Sequence, residues 1–221
     1  MIDIVGNYEK LKQSIPDYVK VVAVSKTRAP EEILALYNSG HKTMGENRVQ
    51  ELIGKRDQLP NDIEWHLIGH LQSNKVKYIG EFVTLIHSVD SVKLLKVLSS
   101  EGLKRGRTIE CLLQVHIASE ETKTGFSLEE AESFATDGPG FDIEGVRIRG
   151  LMGMASFVDD MKQVAGEFGT LRLLFDRLAR GYFSNKKEFD TLSMGMSSDY
   201  RVAIDEGSNM IRVGSSIFGE R

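Results

Sequence analysis

Lys26 closes an apolar run, Val22-Ala23-Val24-Ser25-Lys26, and a primary amine in that place is a candidate nucleophile toward an aldehyde. Side chains alternate along a strand, which puts Val22, Val24 and Lys26 on one face and Val21, Ala23 and Ser25 on the other. If the first set faces a core, the amine sits at its rim, where apolar walls favour the neutral, reactive form. A lysine at a strand end also serves simply by snorkelling to solvent, so the residue needs corroboration. That comes from the far end of the chain. Ser193-Met194-Gly195-Met196-Ser197-Ser198-Asp199 and Arg212-Val213-Gly214-Ser215-Ser216 each turn an apolar run into small and hydroxyl residues. Such segments allow close backbone approach and offer N–H and O–H donors to a phosphate, with Ser198 and Ser215 the best hydroxyls. Either segment alone reads as a helix cap or a Gly-Ser turn; two at neighbouring strand ends point to an anion cradle.

Other constellations are weaker. His66-Leu67-Ile68-Gly69-His70 has the spacing of a helical metal site, but His66 belongs to a strand, where positions four apart are separated by roughly 13 Å, so no shared metal is expected. Cys111, flanked by Ile109, Leu112 and Leu113, reads as a buried structural thiol. Lys93, Lys96, Lys104, Arg105 and Arg107 read as a solvated helix and turn.

The elements that must position Lys26 and the cradle follow from periodicity. Short apolar runs at 21–25, 42–45, 64–68, 83–88, 110–117, 147–152, 191–194 and 210–213 alternate with segments of helical spacing. Pro30 stands where a helix begins, with Glu31, Ile33, Leu34 and Leu36 continuing it. Val92, Leu94, Leu95 and Leu98 follow Asp90 and Ser91, and Phe168, Leu171, Leu174, Phe175 and Leu178 recur at spacings of three and four, as core-facing stripes do. About eight βα units suit a closed (β/α)8 TIM-type barrel of the α/β class better than an open sheet, and no G-x-G-x-x-G turn follows the first strand. No linker marks a boundary, so residues 1–221 are expected to form one domain, with Asp137-Gly138-Pro139-Gly140 a loop.

Composition limits the partners. Of 221 residues, 41% are hydrophobic and 27% charged, as in globular chains, and a net charge of -4 gives no global attraction to nucleic acid or anionic lipid. One cysteine permits no internal disulfide and fits a reducing cytoplasm. Neither a basic, then apolar N-terminal leader nor an 18-residue apolar stretch is present, so a cytoplasmic, unprocessed protein without membrane contact is expected.

The motifs in order resemble the pyridoxal phosphate homeostasis proteins over nearly the whole chain. They are Val22-Ala23-Val24-Ser25-Lys26-Thr27, Gly45-Glu46-Asn47-Arg48-Val49-Gln50-Glu51 and Trp65-His66-Leu67-Ile68-Gly69-His70-Leu71-Gln72-Ser73-Asn74-Lys75, then His87-Ser88-Val89-Asp90, Gly150-Leu151-Met152, 193–198 and 211–219. The resemblance implies a monomeric barrel of pyridoxal 5′-phosphate (PLP) fold type III, similar to the N-terminal barrel of alanine racemases. It implies Lys26 as the Schiff-base lysine, Ser198, Gly214 and Ser215 as phosphate contacts, Arg212 facing the pyridine nitrogen, and Asn47 and Met196 lining the cofactor. The chain departs from the family pattern locally: His116 stands where Asn is more frequent, Met44 where Phe is usual, and Ser215-Ser216 where Thr-Ala is common.

Three functions follow. The resemblance implies a carrier or regulator of intracellular PLP (vitamin B6) and amino-acid homeostasis, partnered by PLP and by PLP-requiring apoenzymes, and not an enzyme of ordinary turnover. The alternative is a PLP-dependent racemase or decarboxylase, whose barrel relatives carry a second β-rich domain; with the eighth unit ending near Arg221, none is expected here. A cofactor-free barrel enzyme that traps sugar-phosphate carbonyls on Lys26 is the third.

Overall fold

A computed structural model describes residues 2–120, 124–136 and 143–220. The loop expected at 137–140 lies outside the described residues. Eight parallel strands follow one another around a closed barrel, β1 (Lys20–Val24), β2 (Thr43–Glu46), β3 (Glu64–Leu67), β4 (Leu85–Val89), β5 (Ile109–His116), β6 (Val146–Met154), β7 (Thr191–Ser193) and β8 (Met210–Val213). β8 pairs with β1, Val22 opposite Arg212, so the last strand closes on the first. The connecting helices are α2 (Pro30–Asn38), α3 (Val49–Arg56), α4 (Val76–Ile79), α5 (Val92–Arg105), α6 (Leu128–Thr136), α7 (Met161–Arg180) and α8 (Tyr200–Asp205), with α1 (Ile4–Gln13) before the first strand and α9 (Ser215–Phe218) after the last. Asn7 Nδ2 of α1 donates to the Ile217 carbonyl of α9 at 3.1 Å, joining the two ends of the chain.

Local chemistry accounts for the helices. Pro30 opens α2, where a missing N–H has no partner to lose, and the Glu32 carboxylate accepts the Ala29 N–H at 2.8 Å. Ser91 caps α5 and Gly106, left-handed at φ 61°, ends it; Asp160 caps α7. The α7 stripe Val164, Phe168, Leu171, Leu174 and Leu178 is buried against the outside of the sheet, each large side chain contributing about 1.5–3 kcal/mol. Leu34 of α2 departs from the expected stripe and stands exposed. Arg105 is exposed, as expected of a solvated helix end, and Arg107 is half-buried; both also brace the neighbouring segment, Arg105 donating to the Lys77 carbonyl of α4 at 2.7 Å and Arg107 to the Val83 carbonyl at 3.1 Å.

Strand alternation builds two apolar regions. Val21 and Ala23 face the helices in the main core, while Val22, Leu85, Leu112, Met152 and Met210 fill the barrel interior. Strand bounds differ from the periodicity by at most two residues at either end, for identifiable reasons. β2 runs on to Glu46, because that carboxylate is buried with partners inside the protein. β4 starts only at Leu85, because the Val83 N–H still bonds back to the Ile79 carbonyl at 3.0 Å. β6 is longer than expected and carries a bulge at Arg149. There Gly150 has φ 149°, and an added Cβ would lie 1.8 Å from the Thr191 carbonyl oxygen, so only glycine fits. Among the described residues no helix is long and apolar enough to cross a membrane.

Candidate functional site

Because all strands run parallel, their C-terminal ends share one mouth, and closure makes β7, β8, β1 and β2 consecutive there. Lys26 follows β1 at this mouth, half-buried, and its amine makes no hydrogen bond or ion pair among the described residues. Val22 faces the interior, as the alternation requires. Gly214, after β8, sits so near β1 that an added Cβ would be 3.1 Å from the Val24 carbonyl oxygen, which brings the β8 turn beside the end of the Lys26 strand.

Arg212 is buried in the interior, where its Nη1 donates to the Ser193 carbonyl at 2.9 Å and Ser193 Oγ at 2.7 Å, and its Nη2 to the Gly153 carbonyl at 3.0 Å. These three bonds leave Nε–H and the second Nη2 proton uncommitted. Burial lowers the guanidinium to about 10, opposed by Asp199, so it remains a cation at neutral pH. Around it, Ser197 Oγ accepts the Gly214 N–H at 3.2 Å and ties the β7 turn to the β8 turn. The hydroxyls of Ser198 and Ser215 are exposed and, with the N–H groups of Ser197, Ser198 and Ser215, have no partner among the described residues. The structure places Ser198 and Ser215, the two hydroxyls singled out in the sequence, at this mouth, and Ser197, which the sequence did not single out, is the strut between the turns. Met196 is half-buried, with its N–H on Asp199 Oδ1 at 2.5 Å. Asn47, at the end of β2, presents a buried Oδ1 with no partner, an orphan acceptor that burial penalises unless a bound group donates to it.

Two histidines that sequence reasoning examined only for metal, or only as a motif fragment, form a chain behind Arg212. His66 Nδ1 lies 2.9 Å from His87 Nε2, and His87 Nδ1 lies 3.1 Å from Ser193 Oγ. The hydrogen-bond pattern assigns the direction. Arg212 only donates, so Ser193 Oγ accepts from it and its hydroxyl donates to His87 Nδ1; His87 then carries its proton on Nε2 and donates to His66 Nδ1. Burial holds both rings neutral, pushing His66 down to about 3, with Lys20 and His41 adding to the effect, and His87 well below its ordinary value, with His66 and Arg212 adding. His70 points elsewhere, pairing with Asp90 at 3.0 Å. His116 reaches the Glu120 carbonyl at 2.9 Å and so braces the connection after β5. Cys111 is fully buried on the helix side of β5, and burial pushes its thiol up.

A cleft of about 430 Å³ opens at the opposite, N-terminal end of the barrel, lined in part by Lys20, Glu64, His66 and Glu110. There Arg149 is already paired with Glu110 at 2.6 Å and Asp190 at 3.2 Å. The residues singled out in the sequence gather at the other mouth, where the candidate site therefore lies.

Comparison with known proteins shows the family. The family described as alanine racemase, N-terminal domain, matches residues 3–221. The pyridoxal phosphate homeostasis protein of Aquifex aeolicus is 40% identical over 206 residues, covering 91% of this chain and 87% of that protein. The chain belongs to the pyridoxal phosphate homeostasis protein family. The family member of Synechocystis is 35% identical, covering 97% of each chain. PipY of Synechococcus elongatus, solved with PLP bound, superposes with a TM-score of 0.88 at 33% identity, over 98% of this chain and all of PipY. Alanine racemase of Bartonella henselae shares the fold alone, with a TM-score of 0.74 at 14% identity, and this chain spans 58% of its length.

Proposed function

We propose that residues 1–221 form one PLP-binding domain that holds the cofactor as a Schiff base on Lys26 and acts as a carrier or regulator in intracellular PLP and amino-acid homeostasis. Ser198, Gly214 and Ser215 hold the phosphate, Arg212 faces the pyridine nitrogen, and Asn47 and Met196 line the cofactor. One observation carries this reading: at a single mouth, four consecutive strands leave uncommitted an amine, guanidinium donors, hydroxyls with N–H groups, and an orphan amide oxygen. That set matches, group for group, an aldehyde, a ring nitrogen, a phosphate and a ring substituent. The PLP-bound state of PipY and the names of the relatives support it.

Bound PLP supplies an electrophilic imine carbon and an electron-accepting ring. A cationic Arg212 disfavours protonation of that ring nitrogen and so weakens the ring as an electron sink, which suits holding the cofactor better than rapid carbanion chemistry. The working form is a cytoplasmic monomer, and its protein partners are PLP-requiring apoenzymes.

The test has two arms. Borohydride reduction of the PLP-loaded protein followed by peptide mapping is expected to find the pyridoxyl group on Lys26; an adduct solely on another lysine overturns the site. Incubation with L- and D-amino acids, with Lys26→Ala as background, is expected to show turnover slower than about one per second, the lower edge of ordinary enzymes. Faster Lys26-dependent racemisation, decarboxylation or transamination overturns the carrier reading.

A further inference from the structure

Lys26 leaves its amine free while the backbone on both sides of it is held by a buried ionic triad. Lys55, on α3, is buried, and its Nζ donates at 2.7 Å to each of three acceptors: the Ser25 carbonyl, Glu46 Oε1 and Glu51 Oε1. All the donors of an ammonium are thereby used. Ser25 Oγ adds a second tie, donating to Glu46 Oε1 at 2.6 Å. Glu51 Oε1 accepts the Thr27 N–H from the other side. Ser25 is thus fastened to Glu46 and Lys55 and Thr27 to Glu51, Lys55 links the two carboxylates, and residue 26 is suspended between.

The conformation held in this way is an unfavourable one. Thr27 has φ 64°, the one left-handed residue other than glycine among the described residues. A β-branched residue in that region is strained, so it persists where the surroundings impose it. The surroundings are themselves expensive to assemble. Glu46 is completely buried, burial raises its carboxyl against the opposing influence of Lys55 and Ser25, and its Oε2 has no partner. A buried charge cluster contributes little to stability compared with apolar packing of equal volume. Its distinctive result here is geometric: the Ser25 carbonyl and the Thr27 N–H are fixed relative to β2 and α3.

We infer that Glu46, Lys55 and Glu51 are positioning residues for Lys26, presetting the turn so that the amine meets the cofactor aldehyde without a search through backbone conformations. This inference rests on the proposed role of Lys26. It also assigns Lys55, the neighbouring amine, a purely structural part, since its proton donors are all engaged.

The experiment compares two ligands on folded protein. PLP attaches covalently through its aldehyde, whereas pyridoxine 5′-phosphate has the ring and phosphate but no aldehyde. In Glu51→Ala, the rate at which the visible absorption band of attached PLP develops is expected to fall at least about tenfold, while affinity for pyridoxine 5′-phosphate changes less than about twofold. Glu51→Gln, which keeps an oxygen for the Thr27 N–H, is expected to retain most of the rate. Thr27→Gly removes an exposed side chain and leaves the side chains of the triad intact, so it folds even if Glu51→Ala does not; glycine also widens the backbone conformations open to residue 27, which is expected to slow attachment as well. Unchanged attachment rates in folded Glu51→Ala and Thr27→Gly overturn the inference, and so does equal weakening of both ligands, which marks general damage to the mouth. Reduction and mapping of the wild type separates the two readings: an adduct away from Lys26 defeats the proposed site, whereas an adduct on Lys26 with indifferent variants defeats only the positioning role.

Discussion

Lowering the pH from 7.5 to 5 is expected to destabilise the folded chain through His66 and His87, because both rings stay neutral inside the barrel while their unfolded counterparts take up protons. The sign follows from the direction of the shift. A histidine held below its ordinary value of 6.5 binds fewer protons folded than unfolded, so its contribution is complete above pH 6.5 and is lost progressively as the pH falls toward the folded value, about 3 for His66. At pH 5 the unfolded His66 is almost wholly protonated and the folded one almost wholly neutral; the difference is about 2 kcal/mol. His87, displaced in the same direction, adds in the same sense. Urea unfolding of the ligand-free protein at the two pH values measures the loss, with Trp65, buried beside His66, as the fluorescent reporter. The double variant His66→Gln/His87→Gln removes both titrating rings while leaving amides that can bridge Ser193. It is expected to lose at least about 2 kcal/mol less than the wild type over the same pH interval. Equal losses in the two proteins would refute the neutral, one-way chain, and a wild type that gains stability at pH 5 would reverse its sign.

Three further outcomes are expected. Gly150→Ala should destabilise the protein by about 3 kcal/mol or more, read from its denaturation midpoint, because the new methyl meets the Thr191 carbonyl and the backbone lies in a region that favours glycine. Ser198→Ala/Ser215→Ala should weaken PLP at least about tenfold, the equivalent of one good hydrogen bond, and pyridoxal, which lacks the phosphate, far less; titration with both ligands decides whether these hydroxyls hold the phosphate. Cys111 should resist thiol reagents in the native state and react fully in urea, since the fully buried thiol is held protonated by its surroundings; native-state labelling at the denatured rate would contradict its placement.

The alternation of apolar strands and striped helices was readable along the chain because both periods are local, and from it came the closed α/β barrel and all eight strands to within two residues at either end. Lys26, Ser198 and Ser215 could be singled out as candidates, since a polar residue where an apolar run stops is a local signal, whereas Gly214 and Arg212 drew their roles from the family resemblance alone. The triad was not. Lys55 has the type and spacing of any surface lysine on an amphipathic helix, and nothing nearby in sequence announces that its amine will reach the Ser25 carbonyl. The histidine chain was hidden for the same reason: His66, His87, Ser193 and Arg212 come from four strands, and whether their side chains meet depends on which face of each strand turns inward and on the stagger between neighbours. The bulge at Arg149 alters that stagger and lengthens β6 without changing the apolar pattern from which strands are recognised. Barrel closure sets β8 beside β1, and only then does a turn near residue 214 stand next to an amine at residue 26. Hydrophobic burial can be satisfied one segment at a time, whereas a hydrogen bond between distant residues requires a particular distance and direction, which the packed barrel alone supplies.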